Sequence, residues 1–137
     1  MFYKCERLKT IPALNTSKVT EVGYMFYYCS QLTTIEGIDF SSVNHNITNT
    51  FYYNPKLTSV KVNGTIAKNI DFSGAKNLDA ASCISIAQAL VVNTGTLTIT
   101  FNSTTYNNVL LETIMPNTQL SIKGYIVSNK GWAIKTA

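Results

Sequence analysis

The segment MFYYCSQLTTI, residues 25–35, decides how this chain is interpreted, because related segments flank it on both sides. MFYKCERLKTI occupies residues 1–11, and TFYYNPKLTSV occupies residues 50–60. A weaker fourth copy begins at Phe72. The phenylalanines that mark the copies are separated by 24, 25 and 21 residues along the chain. This period predicts a repeat protein in which successive copies stack on one another.

Apolar residues recur at fixed places in each copy. The shared positions are Phe2, Phe26, Phe51 and Phe72, then Leu8, Leu32, Leu57 and Leu78, then Ile11, Ile35 and Val60. A segment of this length cannot bury its own apolar side, so equivalent residues are expected to pack in buried columns. The L-x-x-I part of each copy predicts a short strand, and F-x-x-C-x-x-L predicts one helical or 3₁₀ turn. The period lies within the range of about 20–29 residues of leucine-rich repeats.

The copies resemble the BspA-like leucine-rich repeats of bacteria, whose theme is M-F-x-x-C-x-x-L-x-x-I followed by a T-S-x-V-T-like stretch. Residues 1–60 carry the resemblance well, and residues 61–78 carry it weakly. The chain departs from the theme where Asn54 and Ala75 replace the cysteine and where the last spacing shortens to 21. The resemblance implies a short right-handed leucine-rich-repeat-like solenoid on a surface or secreted protein. It also implies adhesion or the binding of host proteins.

The remainder of the chain, residues 79–137, is expected to form an α+β cap on a solenoid of residues 1–78. Asp79 predicts the N-cap of a helix over 80–92, and the alternation in 97–101 predicts a strand. A second helix is expected from Ser103 towards Pro116, and a last strand over 132–134. Residues 120–129 fit either helix or strand, with helix favoured.

The sequence opens inside a copy, with Met1 at the position that Met25 holds in the second copy. No N-terminal cap precedes this first copy. We therefore expect either upstream sequence or another subunit to cover it, and the second alternative is self-association through an uncapped end.

Bulk composition narrows the classes of partner. The 137 residues fit one domain, and 13% of them are charged, about half the usual share of roughly 25%. The net charge of +4 is spread over isolated lysines and one arginine, so no nucleic-acid partner is expected. No apolar run is long enough to span a bilayer, and the charged start of the chain is unlike a signal peptide.

No catalytic residues, metal ligands or cofactor site are predicted. The chain has one histidine, His45, and no nucleophile motif or phosphate-binding loop. Cys5 and Cys29 share one repeat position, so they are expected to be reduced and buried, and Cys83 is expected to be buried on a helix face. The sequence thus predicts a protein that is not an enzyme.

Tyrosines are the residues that most suggest a function. Tyr3, Tyr27 and Tyr52 directly follow the repeated phenylalanine, and Tyr28 and Tyr53 come next. If the phenylalanines point inward, some of these tyrosines point outward and form an aromatic ligand-binding surface. In the alternative interpretation, their hydroxyls satisfy backbone groups at the turns and their rings stack for stability alone.

The predicted function is a non-enzymatic binding or adhesion module at the cell surface or secreted. Its ligand would be a protein or glycan on a host or neighbouring cell. A phage-encoded structural or receptor-binding module is the alternative, which the missing export signal favours.

Overall fold

The computed structural model describes residues 1–137. Six strands are present: β1 (Thr10–Ile11), β2 (Thr34–Ile38), β3 (Ser59–Val62), β4 (Ile70–Phe72), β5 (Thr98–Phe101) and β6 (Ala133–Thr136). The three short helices are α1 (Ala80–Ala89), α2 (Ser103–Thr105) and α3 (Ile122–Gly124). Helices α2 and α3 continue as the π-helical segments Tyr106–Leu110 and Tyr125–Asn129. None of these helices has the length and apolar character needed to cross a membrane.

The strands form two separate parallel sheets of three, in the orders β1-β2-β3 and β4-β5-β6. The first sheet comes from the L-x-x-I parts of the first three copies. Ile11 is paired with Ile35, and Ile35 with Val60, and all three side chains are buried. The repeat spacing therefore predicted the strands and the register of this sheet correctly.

The predicted leucine-rich-repeat-like solenoid with an α+β cap is wrong. The chain is a small α/β fold with two three-stranded parallel sheets and three short helices. The helix predicted after Leu78 is present and begins at Ala80. Asp79 accepts a hydrogen bond from the backbone N–H of Ser82 at 2.7 Å and so caps α1.

Helix α1 closes the edge of the first sheet that a fourth strand would have used. The backbone N–H of Val60 donates to Ser82 Oγ at 2.8 Å, and that of Val62 donates to Ser85 Oγ at 2.9 Å. Two strand donors are thus satisfied by helix side chains instead of by another strand.

The second sheet joins the fourth copy to the C-terminal residues. Strand β4 contains Phe72 and pairs with β5, so that Phe72 lies beside Phe101. Strand β6 then pairs with β5. Outside the two sheets, Ile47 forms an isolated parallel bridge to Ile70.

A column of stacked phenylalanines runs through both parts of the core. Ring centroids are 5.7 Å apart for Phe2 and Phe26, 5.8 Å for Phe26 and Phe51, and 4.6 Å for Phe51 and Phe72. Phe101 extends the column at 6.1 Å from Phe72. The predicted phenylalanine column is confirmed, although Phe2 at its end is only partly buried.

The repeated cysteine position serves as a hydrogen-bond donor as well as a small apolar group. Cys29 Sγ donates to the carbonyl of Phe2 at 3.0 Å. Asn54, at the same position of the next copy, donates through Nδ2 to the carbonyl of Phe26 at 2.9 Å. All three cysteines are unpaired, and Cys29 and Cys83 are buried as predicted, but Cys5 is half-buried.

The C-terminal elements follow the predicted order with shifted ends. Helix α1 ends at Ala89, earlier than residue 92, because Leu90 turns extended and bridges to Ile66. The second helix is capped by Asn102, whose side chain accepts from the N–H of Thr104, and not by Ser103. The ambiguous residues 120–129 are helical over α3 and its π-helical continuation.

Candidate binding surface

The fold brings together the five tyrosines predicted to bind a ligand, in two neighbouring rows. In the first row the ring centroids of Tyr3 and Tyr27 are 5.3 Å apart, and those of Tyr27 and Tyr52 are 5.0 Å apart. In the second row Tyr28 and Tyr53 stack at 4.2 Å. The rows adjoin, since the Tyr27 and Tyr28 rings lie 5.7 Å apart. These side-by-side contacts follow from the stacking of the phenylalanines that precede them.

A sixth ring, that of Tyr24, packs edge-on against the first row. Its centroid lies 5.3 Å from that of Tyr27 and 6.4 Å from that of Tyr3. We call these six residues the tyrosine surface: Tyr3, Tyr24, Tyr27, Tyr28, Tyr52 and Tyr53. Four of them keep about half of their area accessible to solvent.

The hydroxyls of the tyrosine surface make no hydrogen bond within the protein. No buried polar atom without a hydrogen-bond partner belongs to any of these residues, and none of their hydroxyls bonds to the turn backbone. The alternative in which the hydroxyls satisfy backbone groups therefore lacks the contacts that it requires. The rings retain a stabilising role through stacking, because such aromatic pairs contribute about 0.5–1.5 kcal/mol each beyond their burial.

Backbone geometry at the tyrosine surface is unusual. Tyr28 and Tyr53 have φ of 60° and 58°, and Lys4, at the same position of the first copy, has φ of 54°. Tyr24 also lies in this left-handed region, at 58°. Such a conformation costs roughly 1–2 kcal/mol for a residue with a Cβ, and it is normally occupied by glycine or asparagine. Bulky tyrosines stand where a smaller residue would fit at lower energy.

The hydroxyl of Tyr27, at the centre of the surface, has a raised pKa. Loss of water around the packed ring raises its pKa above the ordinary value of 10.0, and ionisation of Tyr52 and Tyr3 beside it raises the pKa further. The nearby Lys4 ammonium opposes this shift. The Tyr27 hydroxyl therefore stays protonated at neutral pH and remains a hydrogen-bond donor.

The two ends of the tyrosine rows differ. At the first end, the Lys4 ammonium lies 5.4 Å from the centroid of the Tyr3 ring. At the other end the rows stop at an open cavity of about 280 Å³. It is lined by Tyr52, Tyr53, Pro55, Ser73, Gly74 and Lys76.

Sequence reasoning overlooked the last three of those residues. The signal was available in the fourth copy. When Phe72 is aligned with Phe51, Ser73 and Gly74 fall at the positions of Tyr52 and Tyr53. The fourth copy thus carries no aromatic residue at either position, and the two rows end at Tyr52 and Tyr53. The cavity beside Ser73 and Gly74 becomes visible only when the copies are stacked in three dimensions.

Titratable groups do not converge elsewhere in the chain. No three histidine, cysteine, aspartate or glutamate residues lie close enough together to hold a metal ion. His45 is half-buried beside Glu21, with Nδ1 at 3.5 Å from the carboxylate, and not simply an exposed loop residue. A cavity of about 410 Å³ between β3 and α1 is lined by serines, Lys61 and Gln88 among others, and by no acid, histidine or cysteine.

No protein-family model, no curated protein and no solved structure matches this chain.

Proposed function

We propose that this protein is a non-enzymatic binding module that recognises a glycan or protein ligand through its tyrosine surface. The observation that carries the proposal is the pair of stacked, solvent-exposed tyrosine rows whose hydroxyls are free for a ligand. Tyrosine offers a large rigid area and a polar tip, and it loses little conformational entropy on binding. Stacking holds the rings in place before a ligand arrives, which lowers the cost further.

The left-handed backbone at Tyr28 and Tyr53 supports the same proposal. Strained backbone tends to occur where a side chain has a functional task. A tyrosine selected only for stability would not be expected at a position where the backbone cost offsets most of the stacking energy.

We further propose that the ligand belongs to a host or neighbouring cell, and that the protein acts at the cell surface or after secretion. The support for this step is the resemblance of residues 1–60 to BspA-like repeats. The low fraction of charged residues agrees with recognition of sugar faces or apolar side chains.

The test is a screen of the protein on glycan and protein arrays, followed by affinity measurements with variants. Tyr28→Ala and Tyr53→Ala should each weaken binding by about 1 kcal/mol or more, as interface hot spots do. Their stability should fall by no more than the lost stacking, about 0.5–1.5 kcal/mol per aromatic pair, because alanine keeps the Cβ and the left-handed backbone cost is unchanged. Tyr125→Ala, a change at a tyrosine outside the surface, serves as the matched control.

The opposite pattern would show that the tyrosines are structural. If Tyr28→Ala and Tyr53→Ala lower the melting temperature while the affinity for the ligand stays the same, the proposed site is wrong.

A further inference from the structure

The cavity lies at the end of the tyrosine rows, where the stacks of rings stop at Tyr52 and Tyr53. The Phe51 and Phe72 rings stack at 4.6 Å, yet the residues after Phe72 are Ser73 and Gly74. The rings of Tyr52 and Tyr53 are covered on one side by Tyr27 and Tyr28, at 5.0 Å and 4.2 Å. On the side of Ser73 and Gly74 no ring covers them, so a ligand ring has two aromatic faces to stack on.

Gly74 packs directly on the backbone of the tyrosine row. A Cβ at residue 74 would collide with the carbonyl oxygen of Phe51 and would lie 2.7 Å from the backbone nitrogen of Tyr53. A side chain therefore cannot be added there without moving the backbone of the tyrosine row.

The cavity is large enough to hold one sugar ring. Pockets for drug-sized molecules measure about 300–1,000 Å³, and this one measures about 280 Å³. The opening to solvent leaves the rest of a chain-like ligand outside. A single sugar residue within a glycan meets both conditions.

The polar groups of the cavity determine the chemistry of that ring. Lys76 is exposed at the rim and supplies a positive charge, and Ser73 supplies a hydroxyl. No acidic residue lines the cavity. The nearest carboxylate along the chain, that of Asp71, already accepts a hydrogen bond from the Ser73 backbone N–H at 2.7 Å.

We propose that this cavity binds a carboxylate-bearing pyranose, that is, an acidic sugar residue of a glycan, and this inference rests on the proposed function. The C–H face of the sugar stacks on Tyr52 and Tyr53. Its carboxylate meets the Lys76 ammonium, and its hydroxyls meet Ser73 and the solvent. A plain aromatic side chain would fill the same space but would form no ion pair with Lys76.

The experiment compares two probes by NMR titration, methyl β-glucuronide and methyl β-glucoside, which differ only in the carboxylate. The glucuronide should bind more tightly to the unmodified protein. Lys76→Gln should weaken the glucuronide about two- to fivefold, the range expected of an exposed ion pair, and leave the glucoside unchanged. Lys18→Gln, at an exposed lysine away from the cavity, should change neither.

A filling variant tests the position of the site. Ser73→Tyr should place the protein's own ring in the vacant position, abolish binding of the glucuronide, and keep or raise the melting temperature. Tyr53→Ala, which removes one wall, should also abolish binding and provides a second reading if Ser73→Tyr folds poorly.

Three results would overturn the inference. Equal affinity for the two sugars would show that the cavity does not prefer an acidic sugar. If Ser73→Tyr and Tyr53→Ala both bind the glucuronide unchanged, the sugar binds at another place on the protein. Absence of binding by either sugar would reject the cavity as a sugar site. These results leave the proposed function to a separate test. If Tyr28→Ala loses binding of a ligand found on the arrays, the proposed function stands. If Tyr28→Ala still binds that ligand with unchanged affinity, the proposed function is rejected.

Discussion

Asn54 illustrates, at the scale of one residue, how a repeat position changes its chemistry while keeping its task. Its Nδ2 donates to the carbonyls of Phe26 and Cys29, at 2.9 Å and 3.2 Å. Its Oδ1 is buried without a partner. The amide therefore replaces the thiol donor of the preceding copy at the cost of one unsatisfied acceptor.

Substitutions at residue 54 should separate these two effects. Asn54→Ala loses both hydrogen bonds and should lower the free energy of unfolding by about 1–3 kcal/mol. Asn54→Cys restores the thiol donor and removes the orphaned oxygen, so its loss should be smaller. Urea denaturation of both variants, with the exposed Asn107→Ala as control, measures the difference. A larger loss for Asn54→Cys than for Asn54→Ala would contradict the donor role.

Cys83 should make stability depend on alkaline pH. Burial, and secondarily the Asp79 carboxylate, raise the pKa of the thiol from 9.0 to about 12. Between these values the unfolded chain loses the proton and the folded chain keeps it. Stability is therefore complete below about pH 9 and falls as pH rises towards 12, by on the order of 4 kcal/mol for the whole shift.

The measurement is the free energy of unfolding from pH 8 to pH 11 for the unmodified protein and for Cys83→Ala. The variant should lose the part of the slope that belongs to this thiol, whereas Cys5→Ala should keep it. Identical slopes for the unmodified protein and Cys83→Ala would show that the thiol ionises freely in the folded state.

At the scale of elements, α1 matters because it seals the edge of the first sheet. Ser82 and Ser85 accept hydrogen bonds from the N–H groups of Val60 and Val62. Substitution of both serines by alanine leaves two strand donors without these partners, and should cost about 1–3 kcal/mol per buried donor. Thermal or urea unfolding checks the double variant against Ser128→Ala, an exposed serine. A double variant as stable as the control would mean that α1 does not close the edge.

The elements also show what the sequence could and could not predict. Strands β1 to β3 follow from the L-x-x-I spacing, since burial of Ile11, Ile35 and Val60 sets their register. The division into two sheets could not be read from the spacing. It depends on the pairing of β4 with β5 and not with β3, which is decided by packing between residues far apart in the chain, whereas the helix capped by Asp79 was predicted.

At the scale of the whole molecule, a single core supports the tyrosine surface. The phenylalanine column crosses from the repeat copies to Phe101 in the second sheet, and its regular spacing sets the spacing of the tyrosines that follow each ring. The position of the surface could therefore be predicted from the sequence. The left-handed backbone at Tyr28 and Tyr53, and the cavity beside Ser73, arise from three-dimensional packing and could not.

The most direct test of the tyrosine surface uses the eight tyrosines of the chain as reporters within one NMR spectrum. The protein is prepared with ¹³C-labelled tyrosine rings and titrated with a ligand found on the arrays. The surface account predicts that the ring signals of Tyr27, Tyr28, Tyr52 and Tyr53 shift, and that those of Tyr106 and Tyr125 do not. Shifts confined to Tyr106 and Tyr125, or saturable binding that shifts no tyrosine signal, would contradict it.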